Sequence, residues 1–171
     1  MKMGLLVGGC LVLVALTPIL VGYLLPRSHL VSCRVWLRQP ADAVFRVITD
    51  FGSGPTWRPG LTKVELLPAR DGKPSFREDG KNGSIVLVVE EMVFPRTLVT
   101  RIVDQSAFGG TWTFEVEPAA DGCNVTITER GEVYNPFFRF MGRFVLGYSG
   151  TLNAYLQALA RHFGETVAQC A

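Results

Sequence analysis

A carboxylate on an otherwise apolar strand face is a natural place for acid–base chemistry, and Glu129 occupies one. It alternates with Val125, Ile127, Gly131 and Val133 on a single face of a β-rich stretch. Desolvation on such a face raises a carboxyl pKa, which suits a general acid or base. The competing reading is a strand end that reaches solvent, or a pairing with Arg130, Arg139 or Arg143. Asp50 is the second acidic candidate. It ends a short apolar helical stretch just before Phe51-Gly52, where a capping or turn role is the simpler reading. Glu90 and Glu91 are neighbours on a strand, so they point to opposite faces and do not form a working pair. Ser149 has no His or Asp at a telling spacing, which argues against a nucleophilic serine. Cys10, Cys33, Cys123 and Cys170 form no CxxC, and His29 and His162 are far apart. No zinc site and no cofactor is expected. The simplest state for the cysteines is four unpaired thiols, with a Cys33–Cys123 disulfide as the alternative.

The aromatic residues suggest binding rather than bond-breaking. Trp57, Trp112, Phe114, Phe137, Phe140, Phe144, Tyr148 and Leu152 are the candidates for lining an apolar pocket. The plainer reading of any one of them is core packing. Arg139 and Arg143 stand one helical turn apart among Phe138, Phe140 and Phe144. A solvated face with snorkelling arginines is the default, and contact with lipid headgroups is the alternative.

These residues need elements to hold them. From Asn135-Pro136 onward, Phe137, Met141, Phe144, Tyr148, Leu152, Tyr155, Leu159 and Phe163 recur at steps of three or four, which predicts one long amphipathic helix. Asn135 can cap its start, and Pro136 suits the first helical position. Gly142, Gly147 and Gly150 weaken it, with a split into two helices foreseeable near Gly147–Gly150. Upstream, residues 29–38, 63–70, 84–94, 97–104, 111–117 and 124–134 read as strands, with a further short one at 75–78. A short helix follows Pro40, with Val44, Phe45, Val47 and Ile48 as its apolar face. The economical packing is α+β, a curved antiparallel sheet around a long C-terminal helix, with room for an apolar pocket between them.

The chain has 171 residues, of which 17 are basic and 15 acidic, without basic runs. That balance excludes a nucleic-acid binder of the usual kind. Gly4–Leu25 is a 22-residue stretch without charge. As a helix it would span roughly 33 Å, enough for a bilayer core. The reading is an anchor and flank at 1–28, a domain at 29–164 and a tail at 165–171. A cleaved signal peptide is the weaker alternative, because no A-x-A-like site precedes the first strand. Arg27, Arg34 and Arg38 favour a single-pass membrane protein with a cytoplasmic domain.

Three stretches carry a family resemblance. They are Ala41-Asp-Ala-Val-Phe45 running to Ile48-Thr-Asp-Phe51 and Trp57, then Gly110-Thr-Trp-Thr-Phe114 with Asn124-Val-Thr-Ile-Thr-Glu129, and the closing amphipathic helix. In order and spacing they resemble the START-like superfamily of polyketide cyclases, dehydrases and lipid-transport proteins, over about residues 29–164. Within it the chain most resembles bacterial members with one N-terminal membrane span. The resemblance implies a helix-grip fold with a cavity for an apolar, lipid-like ligand. It does not imply an enzyme, and no shared catalytic motif carries over. Three functions follow as expectations: membrane-tethered binding or transfer of an apolar small molecule, a cyclase or dehydratase using Glu129 or Asp50, or a scaffold in a membrane complex.

Overall fold

A computed structural model describes residues 16–81 and 83–170. A helix covers residues 16–24 (α1). Seven strands follow: β1 (Ser28–Leu37), β2 (Leu61–Arg70), β3 (Lys73–Gly80), β4 (Gly83–Val93), β5 (Thr97–Val103), β6 (Phe108–Ala119) and β7 (Gly122–Val133). They form one antiparallel sheet in the order β1-β7-β6-β5-β4-β3-β2. β1 and β2 are consecutive strands at opposite edges. The chain crosses between them through α2 (Ala41–Thr49), a 3-10 turn (Phe51–Ser53) and α3 (Gly54–Trp57).

Alternation assigns the faces. Cys33 on β1 stands opposite Ile127, Ile127 opposite Phe114, and Phe114 opposite Leu98, so one rung of apolar side chains crosses four strands on the concave side. Helix α2 covers one end of this face. Its Ala41, Val44, Phe45 and Ile48 are buried, and it packs on β6 and β7. The C-terminal helix α5 (Gly150–His162) buries Leu152, Tyr155, Leu156 and Leu159, the spacing of one helical stripe. It packs on β1 and α3. Each large apolar side chain fully buried here contributes roughly 1.5–3 kcal/mol.

The stripe from Phe137 to Phe163 does not form one continuous helix; it splits at Gly147–Gly150, where its glycines made a break foreseeable. α4 (Pro136–Met141) passes into a π-helical turn at Gly142–Leu146, and the chain then breaks. Gly147 takes φ 71°, a left-handed conformation that ends the helix, and α5 restarts at Gly150. The expected cap at Asn135 is present, its Oδ1 accepting from the Phe137 N–H at 2.9 Å. Because of the break, the apolar faces of α4 and α5 do not share a partner surface.

The cysteines also depart from expectation. Cys33 is bonded to Cys170, with Cα atoms 5.6 Å apart, and Cys123 is a buried free thiol. Register explains why Cys33 cannot take Cys123. Cys33 faces Ile127, whereas Cys123 faces Leu37, four residues along β7 or roughly 13 Å away. The tail instead folds back. Asn153 accepts from the Cys170 N–H at 2.8 Å, and Glu165 accepts from the Arg38 N–H and the Gln39 amide, each at 3.0 Å.

Residues 4–15 of the expected membrane span, and Cys10, lie outside the described residues. Among the described residues no helix is long and apolar enough to cross a membrane.

Candidate functional site

The helices do not seal the concave face. Phe114 and Leu98 are buried beneath them, but Val31, Ile85, Ile102 and Trp112 on the same face are only half-buried. They pack against the core but keep partial access to solvent. Trp112 is at their centre, paired across the sheet with Glu129 on one side and Thr100 on the other.

Two polar clusters flank this region. The first joins α3, β3 and α5. Arg58 follows α3 and grips Glu78 of β3 through both terminal guanidinium nitrogens, the second bond at 3.0 Å. Glu78 reaches the concave side because it shares the alternation of Phe76. The Arg58 guanidinium lies 5.0 Å from the Tyr155 ring centre, a cation–π distance. Burial pulls the Arg58 pKa down, but bonding to the Glu78 carboxylate outweighs it, and the group stays charged. Burial pushes the Tyr155 phenol well above its ordinary value, so it stays a hydrogen-bond donor at physiological pH. Trp57 meets Tyr155 edge-on at 5.3 Å, and Phe114 and Trp112 stand 5.3 and 6.2 Å from it. The Trp57 indole N–H is buried and has no acceptor among the described residues. Such a donor costs about 1–3 kcal/mol unless a ligand or water oxygen accepts from it.

The second cluster lies at the β1–β7 end. His29 Nε2 is 3.4 Å from Glu129 Oε1, and the His29 ring stacks on Tyr148 at 3.8 Å. Two glycines make room for this stack. A Cβ on Gly131 would fall 2.2 Å from the imidazole, and one on Gly142 would fall 2.7 Å from the Tyr148 ring. Glu129 therefore meets a histidine rather than Arg130, Arg139 or Arg143. The approach is an ion-pair distance and not a hydrogen bond, since both His29 ring nitrogens are buried without a hydrogen-bond partner among the described residues.

The remaining sequence candidates are distributed more widely. Trp57, Trp112 and Phe114 converge on Tyr155. Leu152 is fully buried core. Tyr148 belongs to the second cluster. Phe137 and Phe144 are exposed on α4 and the turn after it, and Phe140 packs on Phe144 with ring centres 5.0 Å apart. Asp50 is exposed and caps the 3-10 turn, its Oδ1 accepting from the Ser53 N–H at 3.4 Å. Arg139, expected on a solvated face, is only 4% exposed and donates to the Leu25 and Tyr134 carbonyls. Sequence reading did not single out Arg58, Glu78, Tyr155 and His29 as site residues. Alternation signalled Glu78 and His29, but their partners come from distant segments.

Two clefts open on the outside of the fold. The first, about 470 Å³, is bordered by Arg70, Lys73, Arg101 and Asp104. Its charged groups are already paired, Arg70 with Asp104, and Lys73 and Arg101 with Glu90. The second is shallow and lies by Trp36 and Asp121.

Solved structures with this architecture are varied. A START superfamily protein from Mycobacterium smegmatis superposes with a TM-score of 0.63 at 20% identity, covering 78% of this chain and 96% of that one. The Zhui aromatase/cyclase from Streptomyces sp. R1128 gives 0.63 at 16% identity, with 77% and 91% covered. A truncated norcoclaurine synthase from Thalictrum flavum gives 0.63 at 14% identity, with 82% and 96% covered. At these identities the likeness establishes the fold. No curated protein matches the sequence. The family model described as polyketide cyclase / dehydrase and lipid transport matches residues 31–164, well over half the chain. With the seven-stranded grip, the aromatic concave face and that match, this chain belongs to the polyketide cyclase / dehydrase and lipid transport family.

Proposed function

We propose that the chain binds an apolar, lipid-like small molecule on the concave face, between the sheet and α5, and that its N-terminal segment tethers it to a membrane. One observation carries the binding reading. Ile85, Ile102 and Trp112 are apolar, lie at the middle of the inner face, and retain access to solvent. An apolar body against them would be desolvated, and the Trp57 indole would supply a donor for one polar group on it. The family description, which includes lipid transport, supports the same reading.

The tether rests on the uncharged stretch Gly4–Leu25. For orientation, the Cys33–Cys170 bond supports the oxidising side of the membrane, against the small excess of Arg after the span. Alkylation and mass analysis of the chain from its own cell, without reductant, tests this. Free Cys33 and Cys170 would return the domain to the cytoplasmic side.

The binding test is native mass spectrometry of the gently purified full chain, followed by extraction and by displacement of a fluorescent fatty-acid probe. The expected result is a stoichiometric apolar molecule, with Trp112→Ala weakening the probe by about tenfold, some 1.4 kcal/mol. An empty chain that displaces no probe would sink the reading.

A second reading, a cyclase or dehydratase, is favoured by the 3.4 Å approach of His29 to Glu129. Aromatase/cyclases among the structural neighbours lend it support. If turnover of a polyketide-like substrate is found, Glu129→Gln should abolish it. Unchanged turnover would remove this dyad from the chemistry.

A further inference from the structure

The strongest unexplained surface lies away from the concave face. The π-helical turn after α4 presents Phe144, Val145 and Leu146 to solvent, the last 70% exposed. Phe137 and Phe138 extend this surface along α4. Beside it runs α1, whose Leu20, Tyr23 and Leu24 are also exposed, Leu24 to 87%. The two elements form one apolar surface because they are locked together. Gly22 lies so close to Pro136 that a Cβ there would sit 1.9 Å from the Pro136 carbonyl oxygen. Arg139 fastens the same joint, donating to the Leu25 carbonyl just past the end of α1 at 3.0 Å and to the Tyr134 carbonyl at 3.4 Å. A buried arginine used in this way fixes α1 against α4 rather than facing water.

We propose that the α4 tip, Phe137 to Leu146, is a membrane-interface wedge that seats in the headgroup and upper acyl region of the bilayer. The occupant is a lipid bilayer because of what continues the patch. Upstream of α1 the sequence stays uncharged back to Gly4, so the apolar character runs from the exposed tip into a stretch of bilayer length. A contiguous apolar surface of this kind on a folded domain marks an interaction site. Its phenylalanines and Leu146 suit the acyl side of the interface, while the exposed Tyr23 of α1 and Arg143 can reach the headgroups and lipid phosphates. The wedge goes beyond the tether: it fixes the domain's tilt and brings the His29–Tyr148 end of the concave face toward the lipid.

The test uses the full chain with Cys10→Ser, reconstituted in vesicles of mixed phosphatidylcholine and phosphatidylglycerol. Cys123 is buried and Cys33 is bonded to Cys170, so an added cysteine takes the label selectively. Leu146→Cys and, separately, Val145→Cys carry a nitroxide. Asp121→Cys, in the turn at the far end of β7, is the control. Collisions with oxygen, which partitions into lipid, are compared with collisions with a water-soluble nickel chelate. The wedge predicts oxygen dominating at 145 and 146 and nickel dominating at 121, a reversal of the ratio. Nickel access at 145 and 146 matching that at 121, in chains that float with the vesicles, overturns the wedge and leaves the tether standing. Dipolar broadening between labels means a second copy covers the patch, which also overturns it. Failure to float at all overturns wedge and tether together.

Discussion

At the scale of single residues, burial has converted ordinary side chains into specific ones. The Glu78 carboxylate is only 11% exposed and depends on Arg58, which is itself about a quarter exposed. Arg58→Ala strands the carboxylate and is expected to cost about 2 kcal/mol in urea unfolding. The double variant Arg58→Met with Glu78→Leu should recover much of that loss, because it removes the stranded charge. Cys123 gives a pH signature. Burial pushes its thiol up to about 11 from an ordinary 9.0, with Glu165 adding to the effect. The raised group favours the folded state below the unfolded thiol's pKa, and that contribution is lost as pH rises through about 11. Wild-type stability should therefore decline between about pH 9 and about pH 11 more steeply than that of Cys123→Ala, by up to about 2 kcal/mol. Parallel pH profiles for the two proteins would show that the thiol is not so perturbed.

At the scale of elements, the break between α4 and α5 is the decisive feature. Gly147→Ala meets no neighbour, so its cost is the backbone conformation alone, roughly 1–3 kcal/mol by thermal or urea unfolding, because φ 71° with ψ 177° is a region essentially reserved for glycine. Gly131→Ala should cost more, since the added methyl group must displace the His29 ring from Tyr148. Its effect should include shifted ring resonances of His29 and Tyr148 in aromatic NMR spectra, which Gly147→Ala leaves unchanged. The tail is a second such element. The Cys33–Cys170 bond closes a loop with a sequence separation of 137. Reduction, or Cys170→Ser, is expected to lower stability by about 3 kcal/mol, measured with and without dithiothreitol. No difference would mean the tail's hydrogen bonds through Asn153 and Glu165 suffice to hold it.

At the scale of the molecule, α5 and α2 cover the concave face unevenly and leave Trp112 only half-buried, the opening proposed for the ligand. If that opening takes an apolar ligand, saturation should raise the unfolding midpoint in proportion to the logarithm of free ligand. Trp112→Ala should abolish most of that shift while leaving the unliganded midpoint within a few degrees. A ligand-dependent shift unchanged by Trp112→Ala would move the site elsewhere on the fold.

The sequence by itself determined the elements and their faces. Period-two alternation in 111–117 and 124–134 and the capped helix start at Asn135 each report local backbone geometry, which depends on residues a few positions apart. For the same reason Glu129 and Trp112 were legible as inward-facing. Pairings that join distant segments were not: Arg58 with Glu78, His29 with Glu129 and Tyr148, Cys33 with Cys170, and Arg139 with the Leu25 carbonyl. Each depends on strand register, on the fold-back of the tail or on how α1 packs against α4. The apolar stripe from Phe137 to Phe163 shows the limit most clearly. Its periodicity is real on both sides of Gly147, but one left-handed residue turned the first half out to solvent and left the second half in the core. Only the tertiary structure could make that division, because a helical pattern records which residues share a face and not what that face will meet.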